Sequence, residues 1–140
     1  MTATLRGAAA GAVAAATWAA GEPALRRLVR TPYSDVRLLG RAVTRGRAWP
    51  VAGLALHLAN GALFGAVFGR LGFRGPKAGV AAAELENLAL WPAFVVVDRL
   101  HPDRRDGTWP PLIRNPRVAA YETAVHAVFG AVLGCLTERA

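Results

Sequence analysis

Residues 51–69 carry no charge other than whatever proton His57 holds. A run that long and apolar is a candidate membrane span, and in lipid an α-helix meets the requirement that every backbone N–H and C=O find its partner within the segment. Trp49 and Pro50 precede it, a pairing suited to a helix that starts at the membrane interface. Along the run Gly53, His57, Gly61, Gly65 and Gly69 recur every four residues, which predicts one narrow groove with a single imidazole set into it.

Three further segments repeat the apolar character. Residues 5–23 are mostly Ala and Gly, contain Arg6, and close on Glu22 and Pro23. Alanine contributes little transfer free energy, so this segment depends on packing against its neighbours to insert. A cleaved signal peptide ending at Ala19, Ala20 and Gly21 is the alternative reading. Residues 78–97 hold Glu84, Glu86 and Asn87 in their first half and Pro92 in their second, which predicts a backbone kinked near Leu88. Residues 118–136 make the fourth span. The expected fold is thus all-α: one integral membrane domain over residues 1–140, a four-helix bundle with short spans at about 5–23, 51–69, 78–97 and 118–136.

Basic residues collect in the connections. Residues 24–50 carry Arg26, Arg27, Arg30, Arg37, Arg41, Arg45 and Arg47 against Asp35 alone. Ser34 can cap a short helix there, in which Arg37, Arg41 and Arg45 share one face while Val36, Leu39 and Val43 take another. Such a basic amphipathic segment between helices 1 and 2 suits lipid headgroups, and it makes a membrane scaffold that binds anionic lipid or a partner through these arginines an alternative function. A solvated loop is the alternative. Residues 99–117 are polar and proline-rich, and Trp109, Leu112 and Ile113 are expected there as an interfacial anchor. The two long connections hold twelve basic residues, whereas the opposite side holds Arg6, Arg70, Arg74, Lys77 and Arg139. That asymmetry places both long connections in the cytoplasm and both termini outside.

The net charge of +8 does not indicate nucleic acid as a partner, because the arginines lie between apolar runs instead of interleaving with aromatics on one exposed face. The partners expected are the lipid bilayer and either a second copy of the chain or another membrane protein. Cys135 is the lone cysteine, so no intrachain disulfide and no thiolate cluster can form. In lipid, small residues that let backbones approach replace the hydrophobic effect as the source of helix association. Gly130 and Gly134 of the fourth span, with Gly7 and Gly11 of the first, therefore join Gly53, Gly61, Gly65 and Gly69 as packing positions. Whether those contacts lie within the bundle or between two copies is left open by the sequence.

An ionisable group at the centre of a span costs about 2.5 to 3.5 kcal/mol on insertion scales, and calls for a partner or a function. Alternating helix direction brings Glu22, His57, Glu122 and His126 to comparable depth, near Trp18 and Trp91. Glu122 and His126 are four apart and share a helix face. Mutual hydrogen bonding that sets packing register is one reading, and a network that responds to protons is another. No cofactor is predicted. Two Glu and two His are chemically suited to Zn or Fe, and His57 with His126 to haem, but the spacing is not that of Glu-x-x-His sites. Asn60, Glu84, Glu86 and Asn87 form a second polar group, in which Asn60 can bridge to Asn87 and Glu84 and Glu86 point about 200° apart. His101, before Pro102, reads as a loop residue. No nucleophile with its base and no phosphate-binding loop is present, so no enzyme is indicated.

Trp18 with Glu22 and Pro23, His57 opening the second span, Trp91 and Pro92 in the third, and Glu122-x-x-x-His126 in the fourth together resemble the YagU-type family of small bacterial inner-membrane proteins. Short actinobacterial membrane proteins are similar in their Arg- and Ala-rich composition. The resemblance implies location and architecture and carries no catalytic chemistry.

Overall fold

The computed structural model describes residues 2–138, so Arg139 in the charge count lies outside the described residues. Among these the secondary structure is helical, with no strand. Helix α1 (Ala3–Val29) starts at Thr2, whose hydroxyl accepts from the Leu5 N–H, and ends at Arg30 in the left-handed region with φ 55°. It runs two turns beyond the expected end at residue 23. Pro23 deletes one intrahelical donor, but Leu25 and Val29 pack against the core and carry the helix onward. Helix α2 (Asp35–Val43) is capped by Ser34, whose Oγ accepts from the Arg37 N–H at 3.1 Å. Helix α3 (Trp49–Arg70) has Pro50 in its first turn.

Gly75, at φ 80°, turns the chain into α4 (Pro76–Leu90). A 3₁₀ turn, Trp91–Ala93, then joins it to α5 (Phe94–Leu100). Pro92 has no N–H to give the Leu88 carbonyl, and its ring crowds that oxygen, so the α-helical ladder stops at Leu90. The single turn α6 (Pro102–Arg105) follows, and α7 (Pro116–Glu138) completes the chain, with the Asn115 side chain accepting from the Arg117 and Val118 N–H groups.

Glycine positions the crossings. A Cβ on Gly7 would strike the Gly65 carbonyl, and one on Gly11 the Gly61 carbonyl, so α1 and α3 touch backbone to backbone. Gly40 of α2 and Gly53 of α3 make the same kind of approach, against the carbonyls of Trp49 and Val36. Gly79 meets Gly130, and Gly134 meets Gly75, where α4 crosses α7. These contacts lie within one chain. Any side chain larger than hydrogen would force the helices apart.

Three helical stretches, Trp49–Arg70, Pro76–Leu100 and Pro116–Glu138, are long and apolar enough to cross a membrane. Only 28% and 17% of the most apolar windows of the first two are buried within the chain, and Leu56, Leu63, Leu85, Leu88, Val95 and Val96 face outward. An apolar exterior of that extent calls for lipid contact. Helix α1 is as long but falls outside this group, since it is rich in weakly apolar alanine and includes Arg6, Glu22, Arg26 and Arg27.

The proline-rich connection is the main departure from the sequence expectation. Trp109 and Leu112 are not interfacial anchors: they are 1% and 0% exposed and belong to the core beside Tyr33, Val118 and Tyr121. Asp98 is the cause. Its carboxylate accepts from the Leu112 and Ile113 N–H groups and from Arg104 Nε at 2.7 Å, folding the connection back over the helix ends. Trp109 Nε1 then donates to the Pro32 carbonyl at 3.1 Å, tying this connection to the one after α1.

Candidate functional site

Trp18 organises the interior. Burying it on α1 places its indole edge-on to His57 of α3, at 4.9 Å between ring centroids, and to His126 of α7, at 4.7 Å. Both imidazoles therefore pack on one indole. His126 Nδ1 lies 2.7 Å from the Glu122 backbone carbonyl, one turn back on the same helix, and 3.4 Å from a Glu122 carboxylate oxygen. With Nδ1–H donating to that carbonyl, Nε2 is left as the acceptor. Among the described residues His57 Nε2 has no hydrogen-bond partner, and neither do Trp18 Nε1, Tyr121 Oη, Glu122 Oε1 or one oxygen each of Glu22 and Asp35. Buried polar groups are rarely left in this state, so their gathering marks the site.

Asp35 enters this constellation although its sequence context, one acidic residue among seven arginines, points to a solvated loop. The Gly40 and Gly53 contact lays α2 along α3 and carries the first turn of α2 inward. There the Tyr33 hydroxyl donates to Asp35 Oδ1 at 2.9 Å, and both side chains are buried. Burial pushes the Asp35 carboxyl above its ordinary range, and the neighbouring Glu22 carboxylate adds to this, against the lowering influence of the hydrogen bond from Tyr33. The Tyr33 phenol is raised well above its usual range, by burial first and by Asp35 next. The signal in the sequence was Gly40: a glycine inside a short amphipathic helix marks a close backbone approach.

A cavity of about 220 Å³ adjoins the constellation, lined by Trp18, Tyr33, Asp35, His57, Glu122 and His126 on one side and by Asn60, Glu86, Asn87, Leu90 and Phe94 on the other. Of the four residues expected to share a depth, His57, Glu122 and His126 line it. Glu22 does not: it is within electrostatic reach of Asp35, Glu122 and His57, and its other oxygen is 3.8 Å from Arg26. In the second polar group, Glu86 faces the cavity and Glu84 does not, while Asn87 donates to Glu84 at 3.2 Å in place of the expected bridge to Asn60. Among the described residues no three His, Cys, Asp or Glu side chains stand together in a way that would hold a metal ion.

The arginine face of α2 turns toward protein as well as solvent. Arg37 makes a two-pronged contact with Asp103 of α6, Nε to Oδ2 at 2.9 Å and Nη2 to Oδ1 at 2.6 Å, and its guanidinium lies 5.5 Å from the Trp49 ring centroid. This hydrogen bonding raises the Arg37 guanidinium above its ordinary range. Arg41 stands 3.6 Å from Asp103 and 3.3 Å from Asp106. Asp103 is 0% exposed, and a buried carboxylate requires such counter-charges. Of the three arginines read as headgroup ligands, Arg37 and Arg41 are thus occupied within the chain, and Arg45 is exposed.

No family model matches this chain, and comparison with curated proteins and with solved structures gave no significant match. The fold and the site define an all-helical protein with three helices able to cross a membrane and a buried acid–imidazole cluster beside a cavity.

Proposed function

We propose that this chain is a small multi-pass protein of the bacterial inner membrane, a bundle of α1, α3, α4 with α5, and α7, whose buried acid–imidazole cluster shares protons. No enzymatic step is assigned to the chain in this reading. The bacterial inner-membrane location rests on the resemblance of Trp18, Glu22, His57 and Glu122-x-x-x-His126 to the YagU-type pattern, which supplies no chemistry.

The observation that carries the reading is convergence. Asp35 of α2, His57 of α3, and Glu122 and His126 of α7 meet at one cavity, with Glu22 of α1 in electrostatic reach, inside a chain whose outer face is apolar. The acidic groups within electrostatic reach of the two imidazoles are Glu22, Asp35, Glu84 and Glu122, with Tyr33 and Tyr121 beside the carboxyls and Arg26 on Glu22. In low dielectric, neighbouring carboxyls cannot all ionise, so protons distribute over the set and respond to pH as a group.

The test compares the parent with His57→Gln/His126→Gln, purified in neutral detergent, by thermal unfolding at pH 5 and pH 8. A stability difference between the two pH values that shrinks in the double variant is the expected result. Superimposable pH dependences would rule the proton-sharing role out.

A further inference from the structure

The cavity beside Trp18, His57 and Glu122 is walled but not closed. Helix α3 packs on α1 and α2, α4 packs on α7, and α3 and α4 hardly touch. Asn60 of α3, Leu90 at the end of α4 and Ala93 of the 3₁₀ turn that follows it line the cavity and are themselves exposed, so its mouth lies in the cleft between α3 and α4. With α3 and α4 spanning the bilayer, that mouth faces sideways into lipid. At about 220 Å³ the cavity falls short of the roughly 300 to 1,000 Å³ typical of sites for drug-sized ligands. Its occupant is small.

The lining selects the occupant's charge. Asp35, Glu86 and Glu122 bring three carboxyl groups, and no Lys or Arg side chain is among the lining residues. Asp35 Oδ2 and Glu122 Oε1 are buried acceptors without partners. Whichever of these carboxyls is ionised repels an anion, and a neutral apolar molecule would leave the unpaired oxygens without a donor at the usual desolvation cost. A cation with N–H donors satisfies both demands. The rings of Trp18, Tyr33, Phe64, Phe94 and Phe129 supply an apolar wall, and aromatic faces attract cations.

We propose that the cavity binds a small amphiphilic ammonium ion, received laterally between α3 and α4, with its charged head among the carboxyls of Asp35, Glu86 and Glu122 and its apolar body along the aromatic wall. The lateral route rests on the membrane reading proposed above. The charge selectivity does not.

The experiment uses the full chain in an uncharged maltoside detergent at pH 8, with three probes of matched shape: phenethylamine, 2-phenylethanol and 3-phenylpropionate. A ligand of the folded state raises the melting temperature saturably. The amine is expected to do so, and the alcohol and the carboxylate are not. Asp35→Asn and Glu86→Gln are each expected to weaken the amine by about tenfold or more, the scale of a lost close charge pair. Glu86 is only half-buried, so Glu86→Gln keeps the test open when Asp35→Asn fails to fold. Equal shifts from amine and alcohol, or undiminished amine binding in the folded variants, would overturn the site. A chain that stayed folded and monomeric in buffer without any amphiphile would instead remove the lateral route and the membrane reading, leaving charge selectivity to be judged on the three probes.

Discussion

His101 shows how far a residue's role can stand from its sequence context. Placed before Pro102 in a polar stretch, it reads as a loop histidine, yet it is buried and stacked on Trp109 at 4.6 Å with the ring planes 5° apart. Its Nε2 lies 3.1 Å from the Leu38 carbonyl, and its Nδ1 accepts the Asp103 N–H at 3.2 Å, so the neutral ring protonated on Nε2 makes both bonds. A proton on Nδ1 would point at a donor. Burial lowers the His101 imidazole below its ordinary range, outweighing the Leu38 carbonyl and Asp103 carboxylate, which raise it. The unfolded chain, with a His near about 6.5, then takes up protons that the folded chain refuses. Stability due to this group is present above that pH and is lost as pH falls toward the folded value. His101→Gln is therefore expected to lower the melting temperature at pH 7 and to lose part of the decline that the parent shows down to pH 5. Thermal unfolding followed by circular dichroism checks this, and parallel declines in parent and variant would dismiss His101 as a contributor.

At the scale of elements, the sequence made the helices readable and left their partners open. Spacing by four put Gly53, Gly61, Gly65 and Gly69 on one face, but a groove does not name its ridge. The structure splits that face: Gly61 and Gly65 receive α1, while Gly53 receives α2. Gly11→Ala or Gly65→Ala would drive a methyl group into the backbone of the opposing helix and is expected to cost about 1 to 3 kcal/mol, the range for overpacking a close contact. Gly21, also in α1, leaves open space within 4 Å of where a methyl group would sit, and Gly21→Ala is expected to gain up to about 1 kcal/mol from helix propensity. Denaturation in mixed detergent separates the two classes. Similar effects at all three positions would mean that α1 and α3 do not meet as described. Helix ends followed local chemistry where a cap or proline acted, at Ser34, Pro50 and Pro92, and departed from it at Pro23, where packing of Leu25 and Val29 prevailed.

For the whole molecule, the bias of basic residues toward the two long connections predicts that both lie on the cytoplasmic side. The structure ties those connections together through Arg37 with Asp103, Arg41 with Asp106, and Trp109 with Pro32, so they share one side whichever it is. In a Cys135→Ser background, single cysteines at Gly46 and Gly107 are expected to resist a membrane-impermeant maleimide in intact cells and to react after lysis. Labelling of one without the other would break the topology.

Apolar run length, proline placement and four-residue spacing are local quantities, and they sufficed for an all-helical chain, for three of the four apolar stretches expected to span, and for naming His57, Glu122 and His126 as candidates. Asp35, the burial of Trp109 and Leu112, the pairing of Arg37 with Asp103 and the cavity itself emerged only in three dimensions. Each depends on contacts between segments far apart in the chain, and the free energy that places them comes from packing and from compensating buried charge, neither of which a window of neighbouring residues contains.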